Sequence, residues 1–239
     1  MPDDDRRLGM ISAVIPTLNE EAEIAATIQA LLAQVGDLEV VVADGGSSDT
    51  TIEIAERLGA VIVRSARGRG KQMHAGAMAA RGDILWFIHA DTRVCADATR
   101  QLIAALGSPG MTGGNFTLAF DGQTLGARLL TLSQPVMKAL RVYYGDSTIF
   151  LRRDVYFALG GFRPYPLFED ADMIARIRAA GAFRSLAGQV TTSSRRFEGR
   201  SFLLTCTQWT AMQLLYWLGV PAESLGRFYA PIRRKNEAE

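Results

Sequence analysis

Cysteine is nearly absent from this chain. Cys95 and Cys206 are the only two in 239 residues, and they form no Cys-x-x-Cys pair. That excludes a disulfide framework and a structural zinc site, and it makes a reducing cytoplasm the natural compartment. Histidine is equally scarce: with only His74 and His89, no Ser-His-Asp or Cys-His arrangement for hydrolase chemistry presents itself. An excess of charge is missing too. The formal net charge is +1, so no global field recruits nucleic acid, and nucleic-acid partners are set aside. Met1-Pro2-Asp3-Asp4-Asp5-Arg6-Arg7 is acidic and then basic, without the apolar core of a signal peptide. There is no internal repeat and no low-complexity segment, and no apolar run is a convincing membrane span. No Gly-x-Gly-x-x-Gly follows the first predicted strand and no Walker A string occurs, which argues against a dinucleotide oxidoreductase and a P-loop enzyme.

What is present is an alternation of strand and helix signals. Ile11 to Ile15 is a short β-prone run stopped by Pro16. A helix is predicted from about Glu20 to Leu32, with Ile24, Ile28, Leu31 and Leu32 on one face. Leu38 to Ala43 is the next strand, and Thr50 with Glu53 fits a capping box that opens the next helix. Val61 to Val63 and Ile84 to Ile88 are the third and fourth strands. Strands separated by helices imply βαβ crossovers and a mostly parallel, doubly wound sheet of the α/β class. After residue 110 the pattern changes. Gly113 to Phe120 reads as a strand, Leu125 to Tyr143 as a long amphipathic helix, and Thr148 to Leu151 as a strand. Asp154 to Leu159 is a short helix closed by Gly160-Gly161, and Asp170 to Ala180 a further helix.

Polar residues gather where the predicted strands stop, which is where ligands of open α/β sheets sit. Pro16-Thr17-Leu18-Asn19-Glu20-Glu21 follows the first strand, and Asp44-Gly45-Gly46-Ser47-Ser48 the second. Asp44 suits a hydrogen bond to a base or ribose, and equally a helix cap. Arg64, Arg67, Gly68, Arg69, Gly70 and Lys71 follow the third strand. Two glycines among cations could bind a diphosphate or form a solvated basic loop. The buried run Ile84-Leu85-Trp86-Phe87-Ile88 ends in His89-Ala90-Asp91-Thr92. There two potential metal ligands stand one residue apart; the plainer reading is a helix-capping Asp beside a satisfied histidine.

Ile15 to Glu21, Val41 to Thr50 and His89-Ala90-Asp91, followed in order by Phe150-Leu151-Arg152-Arg153, Gly160-Gly161-Phe162 and Glu169-Asp170, resemble a family-2 glycosyltransferase of the GT-A fold. The resemblance runs from about Met10 to Arg196, and the His-Ala-Asp-Thr string is similar to the subgroup named for arsenosugar biosynthesis. It implies an inverting transfer of a sugar from a nucleotide-sugar donor, UDP- or GDP-type, to a hydroxyl acceptor. Pro16, Thr17, Asn19, Glu20, Asp44 and Gly45 would line the nucleotide pocket, with Arg67 and Lys71 near the base or diphosphate. Asp91 would hold a divalent cation, and Asp170, paired with Glu169, would be the general base. Two positions depart from the family pattern. His89 stands where the metal motif usually has its first Asp; imidazole suits manganese-like ions better than magnesium, so Mn2+ is the expected cation, and His89 could instead contact sugar or phosphate. Gly45 replaces the second acid of the usual Asp-Asp-Gly-Ser string, which leaves Asp44 alone to read the base. Read without the resemblance, Glu169-Asp170 is also compatible with acidic decoration of a helix start.

The chain divides into a predicted transferase domain over residues 10–200 and a C-terminal helical extension over 201–239. Arg195 or Arg196 could close over the diphosphate or form a solvated basic turn. Phe202 to Leu218 is apolar and aromatic, and reads as a packed helix or a homodimer face. Peripheral contact with the inner face of the cell membrane is the minority option for it, aided by Arg227, Arg233, Arg234 and Lys235. Tyr143, Tyr144, Asp146 and Trp209 line an acceptor cleft or are core. Two rivals stay open: a sugar-phosphate nucleotidyltransferase, disfavoured by Pro16-Thr17-Leu18-Asn19-Glu20 where a phosphate-binding Gly-rich loop would follow the first strand, and a degenerate nucleotide-sugar binder, which would have no need of Glu169-Asp170.

Overall fold

The structure, a computed structural model, describes residues 9–122, 126, 128, 129, 131–133, 147–193 and 202–227. Its strands are β1 (Ile11–Thr17), β2 (Leu38–Asp44), β3 (Val61–Arg64), β4 (Ile84–Phe87), β5 (Thr92–Val94), β6 (Met111–Phe120), β7 (Ile149–Arg152) and β8 (Ala182–Thr192). Its helices, labelled in chain order, are α1 (Ile24–Leu32), α2 (Thr51–Arg57), α3 (Arg69–Ala79), α4 (Ala98–Leu106), α5 (Arg153–Ala158), α6 (Glu169–Ala180), α7 (Phe202–Trp217) and α8 (Ala222–Gly226).

Among the described residues these eight strands join one sheet in the order β3-β2-β1-β4-β7-β6-β8-β5. The first four are parallel. Their apolar residues face both sides alternately, so the strands are buried on both faces and read as unbroken apolar runs. Ala13, Ile15, Val42 and Trp86 pack with Ile24, Ile28 and Leu31 of α1 and Leu102 of α4. Val14, Val41, Leu85 and Phe87 pack on the other face with Met73 and Ala77 of α3, Tyr156 of α5 and Ile177 of α6. Beyond β4 the sheet becomes mixed: β7 runs antiparallel to both β4 and β6, and β8 runs parallel to β6.

Several expectations shift. β1 continues through Pro16 to Thr17, because Val14 O already accepts from Ile88 N and Pro16, on that same side of the strand, lies past the last residue that β4 pairs. No ladder donor is missed there. α1 begins at Ile24 rather than Glu20, since Glu20 and Glu21 give their N–H groups to Thr51 Oγ1 and Asp49 Oδ2. Leu32 is exposed, and Thr27 takes the inward position instead. The Thr50–Glu53 capping box does not form: Thr50 Oγ1 donates to Glu21, and Asp49 accepts from Thr51 N. Unread in the sequence are β5, which forms the far edge beside β8, and α4, which packs over β6 and β8. Most of the predicted Leu125–Tyr143 helix, Tyr143, Tyr144, Asp146, Arg195, Arg196 and residues 233–235 lie outside the described residues. Residues 126, 128, 129 and 131–133 are helical.

Candidate functional site

β1 and β2 end in register, Thr17 beside Asp44, and their loops clasp each other. Asn19 donates its backbone N–H to Ser47 Oγ at 2.9 Å and accepts from Ser48 N at 2.8 Å through Oδ1. Thr50 donates through N and Oγ1 to Glu21 Oε2. The buried Asp44 carboxylate turns onto its own loop, accepting from Gly46 N, Ser47 N and Ser47 Oγ. Asp44 and Asn19 thus spend their side chains on shaping the loops that would face a nucleotide. The strand ends are joined from above by Gln72 of α3, whose amide donates to Thr17 O at 2.6 Å and Ala43 O at 3.0 Å. Gly45 makes room for it: a Cβ there would lie 3.0 Å from Gln72 Nε2. The missing second acid therefore coincides with a structural amide.

His89 and Asp91 sit in a turn between β4 and β5 closed by Thr92 N to His89 O. Thr27 of α1 pins the turn by donating to Ala90 O at 2.6 Å. Asp91 accepts from Thr192 Oγ1 of β8 at 3.3 Å. Both residues are buried. Among the described residues no group of three or more His, Cys, Asp or Glu could hold a metal. An imidazole and a carboxylate supply at most two protein ligands, a set that fits a cation completed by oxygens of a bound diphosphate.

Glu169 and Asp170 open α6, where the helix N-terminus favours anions, and both are buried. Arg69, the first residue of α3, reaches both: Nε pairs with Glu169 Oε1, and Nη2 lies 3.4 Å from Asp170 Oδ2. Glu169 Oε2 is buried without a hydrogen-bond partner. Gly70 permits this approach, because a Cβ there would fall inside contact distance of Arg163 O and lie 3.4 Å from Glu169 Cβ. Phe168, just before the pair, adopts a left-handed conformation at φ 65° and stacks on Tyr216 of α7 with centroids 4.5 Å apart. Burial, then the nearby Asp172 carboxylate, pushes the Tyr216 phenol up.

Among the described residues, three other than glycine have positive φ: Asn19, Thr148 and Phe168. Each lies next to one of these segments, since Thr148 precedes β7 beside the end of β4, and such strain gathers at functional sites. The first turn of α3 unites the region, with Gln72 on the β1–β2 ends and Arg69 on the acid pair. Arg67 and Lys71 stay exposed beside it, and Trp209 lies half-buried on α7. The sequence reading named Arg69 only as one cation of a basic loop, and missed Gln72, Thr192 and Phe168. Gly70 was the available signal for a close approach; nothing local pointed to partners 100 residues away.

The chain matches the family model described as glycosyl transferase family 2 over residues 12–167. An uncharacterized glycosyltransferase of Mycobacterium tuberculosis is 36% identical over 97 residues, 40% of this chain and 43% of the relative. A PGL/p-HBAD biosynthesis glycosyltransferase of the same species is 37% identical over 106 residues, 40% and 41% of the two chains. The match spans less than half the length of these curated relatives. Among solved structures, M. tuberculosis glucosyl-3-phosphoglycerate synthase in complex with Mn2+, UDP and glucosyl-3-phosphoglycerate overlays with a TM-score of 0.64 at 24% identity, covering 89% of this chain and 81% of that one. S. aureus TarS 1-349 in complex with UDP-GlcNAc overlays at 0.63 with 18% identity, covering 81% and 60%. These likenesses show the fold, a mixed α/β sheet of the GT-A type, and with the family match they establish that this chain belongs to glycosyl transferase family 2.

Proposed function

We propose that the protein transfers a sugar from a nucleoside-diphosphate donor to a hydroxyl acceptor, with inversion at the anomeric carbon. The observation that carries this reading is the buried Glu169–Asp170 pair, held by the same helix turn that braces the β1 and β2 ends. A pure binder has no use for a carboxylate so placed. In the step, the acceptor oxygen bonds to the anomeric carbon as its bond to the diphosphate breaks, and Asp170 takes the hydroxyl proton. Such assistance is worth about 10²–10⁴ in rate. The loops after β1 and β2 hold the nucleotide, with Arg67 and Lys71 near the phosphates. Arg195 and Arg196 are assigned to the same task from sequence alone.

His89 and Asp91 are the residues that would hold a divalent cation. When bound it neutralises charge developing on the leaving diphosphate. Imidazole among the donors favours Mn2+ over Mg2+, and the glucosyl-3-phosphoglycerate synthase structure contains Mn2+ with UDP. UDP is accordingly the favoured nucleotide. Residues 10–200 are taken as the transferase domain and 201–239 as an extension packed on it, and the arsenosugar-type subgroup rests on His89-Ala90-Asp91-Thr92. Among the described residues no helix is long and apolar enough to cross a membrane.

Calorimetric titration of UDP, GDP and ADP, each with Mn2+, Mg2+ or chelator, tests the site. Tight, Mn2+-dependent binding of UDP is expected, abolished in Asp91→Ala. Binding that survives chelation removes the metal role of His89 and Asp91. No binding of any diphosphate overturns the proposal.

A further inference from the structure

Adjacent buried carboxylates repel each other and resist desolvation, so such pairs ordinarily share a proton. A helix N-terminus offsets only part of this. At Glu169 and Asp170, 1% and 6% exposed, one guanidinium meets both acids from a different element, α3. On α6 itself, Asp172 is held by Arg176 at 2.6 Å and by Arg163 of the preceding loop at 2.9 Å. β6 carries no charged residue, β8 carries only Arg184, and α7 presents Tyr216 against Phe168. Lys71 is exposed two residues beyond Arg69.

We infer that Arg69 is a positioning residue for the reaction: it keeps Asp170 ionised beside Glu169 and locks that base to the turn of α3 that braces the nucleotide loops. The inference rests on the reading of Asp170 as general base. A guanidinium beside both carboxylates favours the ionised form of Asp170. Geometry adds to charge. Arg69 and Gln72 are one helical turn apart, so the base and the ends of β1 and β2 move as one body. A lysine could supply the charge but not the fork that meets two carboxylates at once.

The test is a pH titration of Asp170 by NMR in ligand-free protein labelled with [γ-13C]aspartate, the resonance identified by its loss in Asp170→Asn. Arg69→Gln should raise the Asp170 midpoint by about 1–3 pH units, and Arg69→Lys by less. Glu169→Gln, which keeps Arg69 and removes the like charge, should lower it. If Arg69→Gln does not fold, the Lys and Glu169→Gln variants carry the test. Unmoved midpoints overturn the inference, leave Arg69 as a tie between two helices, and leave the proposed function standing. In donor turnover, kcat of the Gln variant should fall about tenfold per pH unit below the new midpoint and recover above it, with the donor KM little changed. A shifted midpoint without a matching shift in the kcat profile overturns Asp170 as the base, and the positioning role with it. The NMR arm needs no donor, so failure of the wild-type protein to consume any nucleotide sugar is read separately, against the function.

Discussion

Glu39 and Glu169 are both buried glutamates paired with an arginine, one at each end of the sheet, and they are satisfied to different degrees. Glu39, near the start of β2, has both oxygens engaged. Oε1 accepts from Ser12 Oγ and Arg81 N, each at 2.6 Å, and Oε2 from Arg81 Nε at 3.2 Å. Ser12 Oγ in turn accepts from Gly82 N, closing the entry to β4. Glu169 has one oxygen on Arg69 and the other buried without a partner, after a residue strained into the left-handed region. Unsatisfied buried groups and strain are unfavourable, and at Glu169 they stand beside the loops proposed to hold the nucleotide. The Glu39 carboxylate is satisfied on both oxygens and the Glu169 carboxylate is not, a difference that fits the ligand site proposed beside Glu169. Substitutions at the two ends should therefore separate cleanly in what they damage.

The largest effect belongs to Asp170→Asn. Turnover should fall by about 10²–10⁴, while UDP affinity and thermal stability stay near those of the wild type. Near-normal turnover would remove the base and break the comparison on its functional side. Gly70→Ala comes next. The added methyl meets the Arg163 carbonyl, which is backbone and cannot swing aside, and Cβ of Glu169. Overpacking of this kind costs about 1–3 kcal/mol, and each kcal/mol lowers the midpoint of a chain this size by about 2–4 °C. Because the displaced segment leads into the acid pair, kcat should fall more steeply than stability accounts for. Loss of stability alone would mean that α3 and α6 are not coupled in function.

The parts of this architecture legible in the sequence are those that local pattern determines. β1, β2 and β4 announce themselves because burial on both faces makes them apolar throughout, and their carboxyl ends locate the polar loops. Glu169-Asp170 is legible as a pair because it stands at a helix start in the expected order. β5 was not, being three residues long with Thr92 and Arg93 in it; its partner β8 lies about 100 residues on. The capping box failed because Glu21, 29 residues away, competes for Thr50. Arg69, Thr192 and Gln72 share that difficulty: each side chain acts on a partner far along the chain, and residue type alone does not say which partner wins.

Glu39→Gln is the smallest expected change and tests the stable end of the sheet. Burial pushes the Glu39 carboxyl up, but the hydrogen bonds from Ser12 and Arg81 outweigh it and hold the group below the ordinary glutamate range. A lowered folded-state pKa means the ionised group contributes stability above its unfolded value, about 4.3, and that contribution is lost as pH falls through the folded value. Glutamine keeps an acceptor for Ser12 and Arg81 N but turns an amide donor toward the Arg81 guanidinium. The expected loss at pH 7 is about 1–2 kcal/mol, kept small because Arg81 is mostly exposed and its charge is screened. Thermal unfolding of both proteins between pH 7 and pH 3 should show the gap narrowing below pH 5, with donor affinity at pH 7 unchanged. A gap that stays constant with pH would assign the destabilisation to packing, and a loss of donor affinity would mean that the two ends of the sheet are not independent.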